Sequence, residues 1–214
     1  MIVSRATDSR NVNCPVELAG QLQAYVEQAA RDGRPLHEVE RGIFDRVLRI
    51  GFVATEQFLE GQGNGDLGPS IPPQNGQRLH RSSKPVRRPL RTVFGLHTIE
   101  AFVSAPREHE KIALRPVDAR RELPQGRASY LYEEFSQYFC VDQAFGQSES
   151  TMKRVFGHSV SVDSLERINR RLGDQADAFL NELPTPPADE EDELLVFTGD
   201  GKGVPMVTED AAAV

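Results

Sequence analysis

An aspartate near the end of the chain stands where a carboxylate could bind a metal ion. Asp200 follows the apolar run Leu194–Gly199, and the turn Asp200–Gly203 leads into a second apolar run, Val204–Val207. Asp-Gly between two apolar runs is a strong hairpin signal, so the pattern predicts two short strands and a tight turn. A carboxylate exposed at a strand end offers the oxygen ligand that Mg²⁺ prefers. The alternative is that the pair only turns the chain.

A basic cluster in the middle of the chain indicates contact with a polyanion. It places six cations within fourteen residues, and no acid lies among them. The interleaved Pro85 and Pro89 predict an extended arm that follows the phosphates of a nucleic acid, each neutralised phosphate adding a salt-dependent increment to binding. A solvated loop is the alternative. The cations are Arg78, Arg81, Lys84, Arg87, Arg88 and Arg91.

A second basic group lies on a predicted helix over 161–183, for which Ser161 is a suitable N-cap. Apolar residues recur there at three-to-four spacing and leave Arg167, Arg170 and Arg171 on the polar face. With the turn at 157–160 and the helix before it, the arrangement has the proportions of a helix-turn-helix, whose second helix enters a major groove. The alternative is the ordinary polar face of an amphipathic helix.

The charge balance permits such a role despite an acidic total. The 214 residues carry a net charge of −7, but residues 186–214 hold eight acids against Lys202 alone. Residues 1–185 are then neutral, with 25 − 1 = 24 basic and 32 − 8 = 24 acidic side chains. A neutral body with local basic clusters is compatible with nucleic-acid binding.

Other classes of site find little support. Cys14 and Cys140 lie far apart without a CxxC partner, and the histidines lack ligand spacing, so zinc is not expected. The N-terminus lacks the pattern of a signal peptide, and no apolar run is long enough to span a membrane. The sequence predicts a cytoplasmic protein.

The periodicity predicts an α+β, helix-dominated fold. The regular elements are expected to form a helical hairpin, a small antiparallel sheet and a helix-turn-helix-like bundle. The aromatic side chains over 130–139 are expected to face the core. The predicted helices are 16–30, 36–58, 128–145, 148–156 and 161–183, and the predicted strands are 90–94, 98–103 and 111–114.

Composition divides the chain at two linkers. The glycine-rich stretch after residue 60 is predicted to hold no regular structure, and the acidic, proline-rich stretch after Leu183 is predicted to be a stiff spacer. The expected order is a helical hairpin (1–60), a linker (61–78), a sheet-plus-helix DNA-binding domain (79–183), an acidic linker (184–192) and the start of a further domain (193–214).

Three segments in order resemble the front half of ISKra-type insertion-sequence transposases, of the DDE class. They are GIFDRVLRIGFVATEQFLEGQGNGD (42–66), RPVDARRELPQGRASYL (115–131) and ELLVFTGDGKGVPMV (193–207). The resemblance implies binding to transposon-end DNA, and it implies that 193–214 begins a ribonuclease-H-like catalytic domain that uses Mg²⁺. Many relatives carry a CxxC-type knuckle where this chain has Ser104–Ile112 without cysteine, so the resemblance gives no zinc site.

By the same resemblance Asp200 corresponds to the first catalytic aspartate and metal ligand, whereas the second and third acids would lie beyond Val214. One carboxylate cannot hold the two metal ions of such a site. We therefore expect the chain alone to be catalytically silent. Asp118 lies in a marked segment, but we expect it to be structural. A rival hypothesis is a non-enzymatic interaction module in which helices 36–60 and 161–183 form a homo-oligomer.

Overall fold

The computed structural model describes residues 14–72, 78–108 and 110–184. The chain divides into two compact units, Met1–Leu172 and Gly173–Val214. Asp200, the two strands predicted beside it and the acidic linker from residue 185 onward lie outside the described residues. Within the described residues, no helix is long and apolar enough to cross a membrane.

The fold is α+β and helix-dominated, as predicted, with 55% of the described residues in helices. Small antiparallel sheets complete it. In chain order, the elements of the described residues are α1 (Pro15–Arg31), α2 (Leu36–Glu60), β1 (Ser70–Ile71), β2 (Leu79–Arg81), β3 (Val86–Thr92), β4 (Gly95–Ala101), β5 (Ser104–Ala105), α3 (Pro116–Arg120), α4 (Tyr130–Asp142), α5 (Phe145–Phe156), α6 (Val162–Gly173) and α7 (Ala176–Glu182).

Helices α1 and α2 pack against each other, as the periodicity predicts. Pro15 at the first turn suits the start of α1, because its missing N–H needs no partner there. The connection turns at Gly33, which takes the left-handed φ of +62° that favours glycine. Across the pair, the Arg46 guanidinium lies 3.7 Å from the ring centroid of Tyr25. This cation–π contact stabilises the packing of the middle of α2 against α1.

Strands β3 and β4 form an antiparallel hairpin with Arg91 opposite Leu96 and Arg87 opposite Glu100. Burial alternates along β4, where His97 and Ile99 are buried and their neighbours are exposed. The predicted strands 90–94 and 98–103 are therefore correct in kind but displaced, since β3 begins at Val86 and the turn occupies 93–94.

The predicted third strand at 111–114 is wrong. Only Leu114 makes a bridge there, to Ser104. The second sheet instead has the order β1-β2-β5. Its two-to-three-residue strands are too short to show an alternation in the sequence.

The prediction that the linker at 61–78 holds no regular structure is also wrong for its described residues. Strand β1 pairs with β2, and the Phe102 N–H donates to the Asn64 carbonyl at 2.8 Å. The side chains of Asn64 and Asp66 accept hydrogen bonds from the backbone two residues on, at 3.1 and 2.9 Å. Such turns fold a glycine-rich segment locally, which composition alone does not reveal.

Two apolar clusters form the core of the first unit. One joins Val93 in the β3–β4 turn to Tyr132 of α4, Met152 of α5 and Leu165 of α6. The other places Leu90 and Ile99 of the hairpin against Val117 of α3. The hairpin thus contributes to both clusters, through Val93 of its turn to the first and through Leu90 and Ile99 to the second. The first cluster fixes α6 relative to the end of the hairpin.

The predicted aromatic core face of α4 is wrong for most of its members. Tyr132 is fully buried and Phe139 packs against the same cluster. Tyr130, Phe135 and Tyr138 are 60%, 39% and 75% exposed. An α-helix turns 100° per residue, so 138 lies away from the face that carries 132 and 139. Position 135 lies at the edge of that face, where Phe135 contacts Phe156 edge-on at a centroid separation of 5.5 Å.

The helix predicted over 161–183 ends early in the structure. Helix α6 stops at Gly173, a turn occupies 174–175, and α7 follows in the second unit. Glycine is the weakest helix former after proline, and here it overrides an apolar spacing that would otherwise continue.

A matched pair of glycines tests how α2 contacts the hairpin. A Cβ on Gly51 would lie 2.4 Å from Cδ1 of the Phe94 ring, whereas a Cβ on Gly20 of α1 meets nothing within 4 Å. We expect Gly20→Ala to raise the free energy of unfolding by about 0.5–1 kcal/mol through helix propensity. Gly51→Ala should lower it, because the ring must move. Urea unfolding of both variants measures the difference, and equal stabilisation would show that α2 does not pack on Phe94.

A buried histidine lies between α2 and β4. We expect it to make this contact sensitive to acid. His97 stacks on Phe52 with a centroid separation of 4.4 Å, and its Nδ1 lies 3.5 Å from Oε1 of Glu56. Burial lowers the pKa of His97 to about 4. The unfolded chain then binds more protons between pH 6.5 and pH 4, so the stabilisation present above pH 6.5 is lost as the pH falls through that window.

The loss attributable to His97 is about 3 kcal/mol, because its pKa is 6.5 in the unfolded chain and about 4 in the folded chain. Burial raises the pKa of Glu56, which opposes the trend in part. We expect urea unfolding of His97→Gln to depend less on pH across this window than the parent chain does. A parallel pH dependence in the two proteins would contradict the assignment.

Candidate nucleic-acid interface

A cleft of about 620 Å³ lies where the β3–β4 hairpin, the loop before α4, and α6 with its preceding turn meet. It carries basic, hydroxyl and apolar side chains together. All of its lining residues belong to the first compact unit. They are Pro89, Arg91, Leu96, Gly126, Arg127, Ala128, Glu133, Ser159, Val160, Ser161, Ser164, Arg167, Ile168 and Arg171.

Backbone hydrogen bonds hold the loop before α4 against β3. The Arg91 N–H donates to the Arg127 carbonyl at 2.7 Å, and the Ser129 N–H donates to the Arg91 carbonyl at 2.8 Å. Ser129 then caps α4, because its side chain accepts from the Tyr132 N–H. These bonds place Arg127 next to Arg91 although 36 residues separate them.

The Arg91 side chain is oriented by a histidine. Its Nη1 lies 3.2 Å from His158 Nδ1, and His158 Nε2 lies 3.3 Å from the Val93 carbonyl oxygen. A guanidinium can only donate and a carbonyl can only accept, so this histidine is neutral, with its proton on Nε2. Burial and the charge of Arg91 lower the pKa of His158, which favours the same form.

Arg88, predicted to contact DNA, instead has a structural role. Its residue is only 9% exposed. The two terminal nitrogens donate to the carbonyls of Gly126 and Pro124 at 2.7 and 2.9 Å, and Nε lies 3.0 Å from Asp118 Oδ2. The last contact is an ion pair without hydrogen-bond alignment. Asp118 is structural, as predicted, and the guanidinium anchors the loop that carries Arg127.

Helix α6 supplies the opposite wall. Arg171 Nη2 lies 2.6 Å from Oε2 of Glu133, whose side chain is only 7% exposed. Arg167 folds back onto its own helix, donating to the Asp163 carbonyl and to Ser164 Oγ at 3.2 and 3.1 Å. Both guanidinium groups belong to exposed residues. Arg170 is exposed too, but it does not line the cleft.

The order of α5, the turn and α6 suits a helix-turn-helix. Helix α5 ends at Gly157, which has the left-handed φ of +76° common at helix C-termini. Leu165 is buried in the same cluster as Met152 of α5. The exposed Asp163 and Glu166, however, lie on the side of α6 away from the cleft. The arginines of the cleft wall are therefore better placed for phosphate than the outer face is.

The charges in the cleft are strongly unequal. Four of its lining side chains are arginines and one is a carboxylate, a formal excess of 4 − 1 = 3 positive charges. Glu133 pairs with Arg171 and neutralises only that group. A concave surface lined mainly by one sign of charge concentrates such a field, which favours an anionic ligand.

The other predicted DNA-binding residues lie away from this cleft. Arg81 pairs with Asp66 and stacks on Phe102, with 4.6 Å from its guanidinium carbon to the ring centroid. Arg87 pairs with Glu100 at 2.7 Å. Lys84 is exposed beside a separate pocket. Arg78 is exposed as well. The predicted arm is therefore in large part a paired strand, and of its cations only Arg91 reaches the cleft.

Sequence reasoning missed Arg127 and the hydroxyl groups of Ser159, Ser161 and Ser164. Arg127 stands in a Pro-Gln-Gly-Arg loop without periodicity, and the serines look like ordinary turn residues. The one available signal was the position of the serines directly before a basic helix, where N-terminal hydroxyls and N–H groups commonly meet anions.

A metal centre finds no support in the described ranges. Among residues 14–72, 78–108 and 110–184, no three histidine, cysteine, aspartate or glutamate side chains are grouped to hold a metal ion. The predicted magnesium ligand, Asp200, lies beyond those ranges and stays a prediction. Comparison of the chain with known proteins finds no matching family model, no matching curated protein and no matching solved structure.

Proposed function

We propose that this chain binds DNA through the cleft between β3, the loop before α4, and α6. One observation carries the proposal: arginines from three separate segments converge on one concave surface that holds a single acid. Neutral structural surfaces do not require such convergence, whereas binding to a phosphate backbone does. The resemblance to ISKra-type transposases adds the expectation that the DNA is a transposon end and that the family's reaction is Mg²⁺-dependent cutting and joining of DNA.

Fluorescence anisotropy with a labelled duplex at several salt concentrations tests the proposal. If the three cleft arginines that Glu133 does not neutralise each neutralise one phosphate, log K should fall with log salt with a slope of about −2.7. A dissociation constant that does not change with salt, or no binding at low salt, would refute DNA binding. A neutral polymer of similar length is the matched control ligand.

A second candidate function has its own observation in its favour. On helix α2 the apolar side chains of Leu36, Phe44 and Val47 are 79%, 46% and 47% exposed. These side chains suit a homo-oligomeric interaction module. Sedimentation velocity over a hundredfold range of protein concentration distinguishes the candidates, because a self-associating module must change its sedimentation coefficient and a monomeric DNA binder need not.

A further inference from the structure

We infer that the cleft takes an unpaired nucleotide at the end of a DNA duplex, in addition to contacting duplex phosphates at its rim. The inference rests on the proposed function and names the form of DNA that the site selects. Its basis is the combination of a concave shape with basic and apolar side chains in the same lining.

The shape favours an extruded strand over a duplex. The cleft is open to solvent, and its volume of about 620 Å³ is comparable to the range of about 300–1,000 Å³ for small-ligand sites. A duplex is convex and presents its phosphates on the outside, so its phosphates can meet the cleft arginines while its paired bases stay out of the cleft. An unpaired nucleotide can enter it, as bases do in enzymes that remove them from the stack.

The distribution of charge in the cleft matches one strand of nucleic acid. Arg127, Arg167 and Arg171 are exposed, whereas Arg91 is half-buried. His158 holds one terminal nitrogen of Arg91. An arginine has five N–H donors, and no other side-chain partner of this guanidinium is found within the described residues. Arg91 is therefore positioned to bind a phosphate that enters the cleft.

The lining also offers an apolar surface for a base. Leu96, Val160 and Ile168 line the cleft, and Leu96 is 51% exposed although it lies in a strand of the core hairpin. Apolar side chains of this kind cover the face of an unstacked base, and that contact tolerates any sequence. The hydroxyl groups of Ser159 and Ser161 can donate to or accept from the base edge or the sugar.

Three DNA ligands test the inference: a blunt duplex, the same duplex with a two-nucleotide 5′ overhang, and the same duplex with a two-nucleotide 3′ overhang. We expect at least one overhang to bind about tenfold more tightly than the blunt duplex. Leu96→Ala should abolish that preference, so that the ratio of overhang affinity to blunt-duplex affinity falls to about one. Leu67→Ala is the control, because Leu67 is 53% exposed and does not line the cleft.

The outcomes separate the inference from the proposed function. Equal affinity for all three ligands, with the salt dependence of a DNA binder, would overturn the inference and leave the proposed function standing. An overhang preference that survives Leu96→Ala would also overturn it, because the base would then bind elsewhere. Absence of binding to every ligand would overturn both. Circular dichroism of each variant confirms that it is folded.

Discussion

Arg88→Ala should lower the free energy of unfolding by about 3–5 kcal/mol, the usual cost of removing one partner of a buried ion pair. The substitution leaves the Asp118 carboxylate, whose side chain is 14% exposed, without its cation. It also removes the donors to the Gly126 and Pro124 carbonyls. Buried acceptors left without partners add to the loss. Urea unfolding followed by circular dichroism measures the change.

The neighbouring arginine provides a matched control. Arg87 is also paired with an acid, but its side chain is 76% exposed. Arg87→Ala should therefore change stability by less than about 1 kcal/mol. Arg88→Lys should recover only part of the loss, since one ammonium cannot reproduce a planar fork that reaches three groups. Equal stability of the Arg87→Ala and Arg88→Ala proteins would contradict the structural role given to Arg88.

The double variant Arg127→Ala/Arg167→Ala should bind DNA with a less steep dependence on salt. Each arginine is exposed and lines the cleft. If each neutralises one phosphate, the slope of log K against log salt becomes smaller in magnitude by about 1.8. Anisotropy titrations at salt concentrations between about 50 and 200 mM measure this slope.

The choice of substitutions and a matched control make the result of the double variant interpretable. Arg171 is left in place, because its removal would leave the buried Glu133 carboxylate unpaired and confuse binding with folding. Arg31→Ala/Arg41→Ala removes the same net charge from exposed positions on α1 and α2. If that control variant lost as much of the salt slope, net charge rather than the cleft would govern binding.

Long periodic elements were predictable from the sequence, and the reason is local. In α1 and α2 the apolar spacing, Pro15 and Gly33 all indicate the same helices and the same turn between them. The break after α6 was not predictable from spacing alone. There the apolar pattern continues through Gly173, and a local helix breaker decides the outcome.

The different roles of Arg87 and Arg88 could have been predicted from the sequence. Along β3 the residues Arg88, Leu90 and Thr92 are buried in alternation. A strand read as beginning at Val86 would have placed Arg88 on the buried face. Beginning it at Leu90 left both Arg87 and Arg88 in the predicted extended arm.

The cleft itself could not have been predicted. It depends on backbone hydrogen bonds between Arg91 and the loop at 127–129, which connect segments far apart in the chain. Neither segment carries a pattern that selects the other. The basic residues of β3 and α6 were identified as two separate candidates, and only tertiary packing through Val93, Tyr132 and Leu165 brings them together.

Amide hydrogen exchange of the full chain, with and without duplex DNA at low salt, tests the central claim most directly. We predict that DNA slows exchange in the loop at 126–129 and in the turn and helix at 157–171, and that α1 and the first half of α2 exchange unchanged. Protection confined to α1 and α2, or no change at saturating DNA, would contradict a DNA site in the cleft.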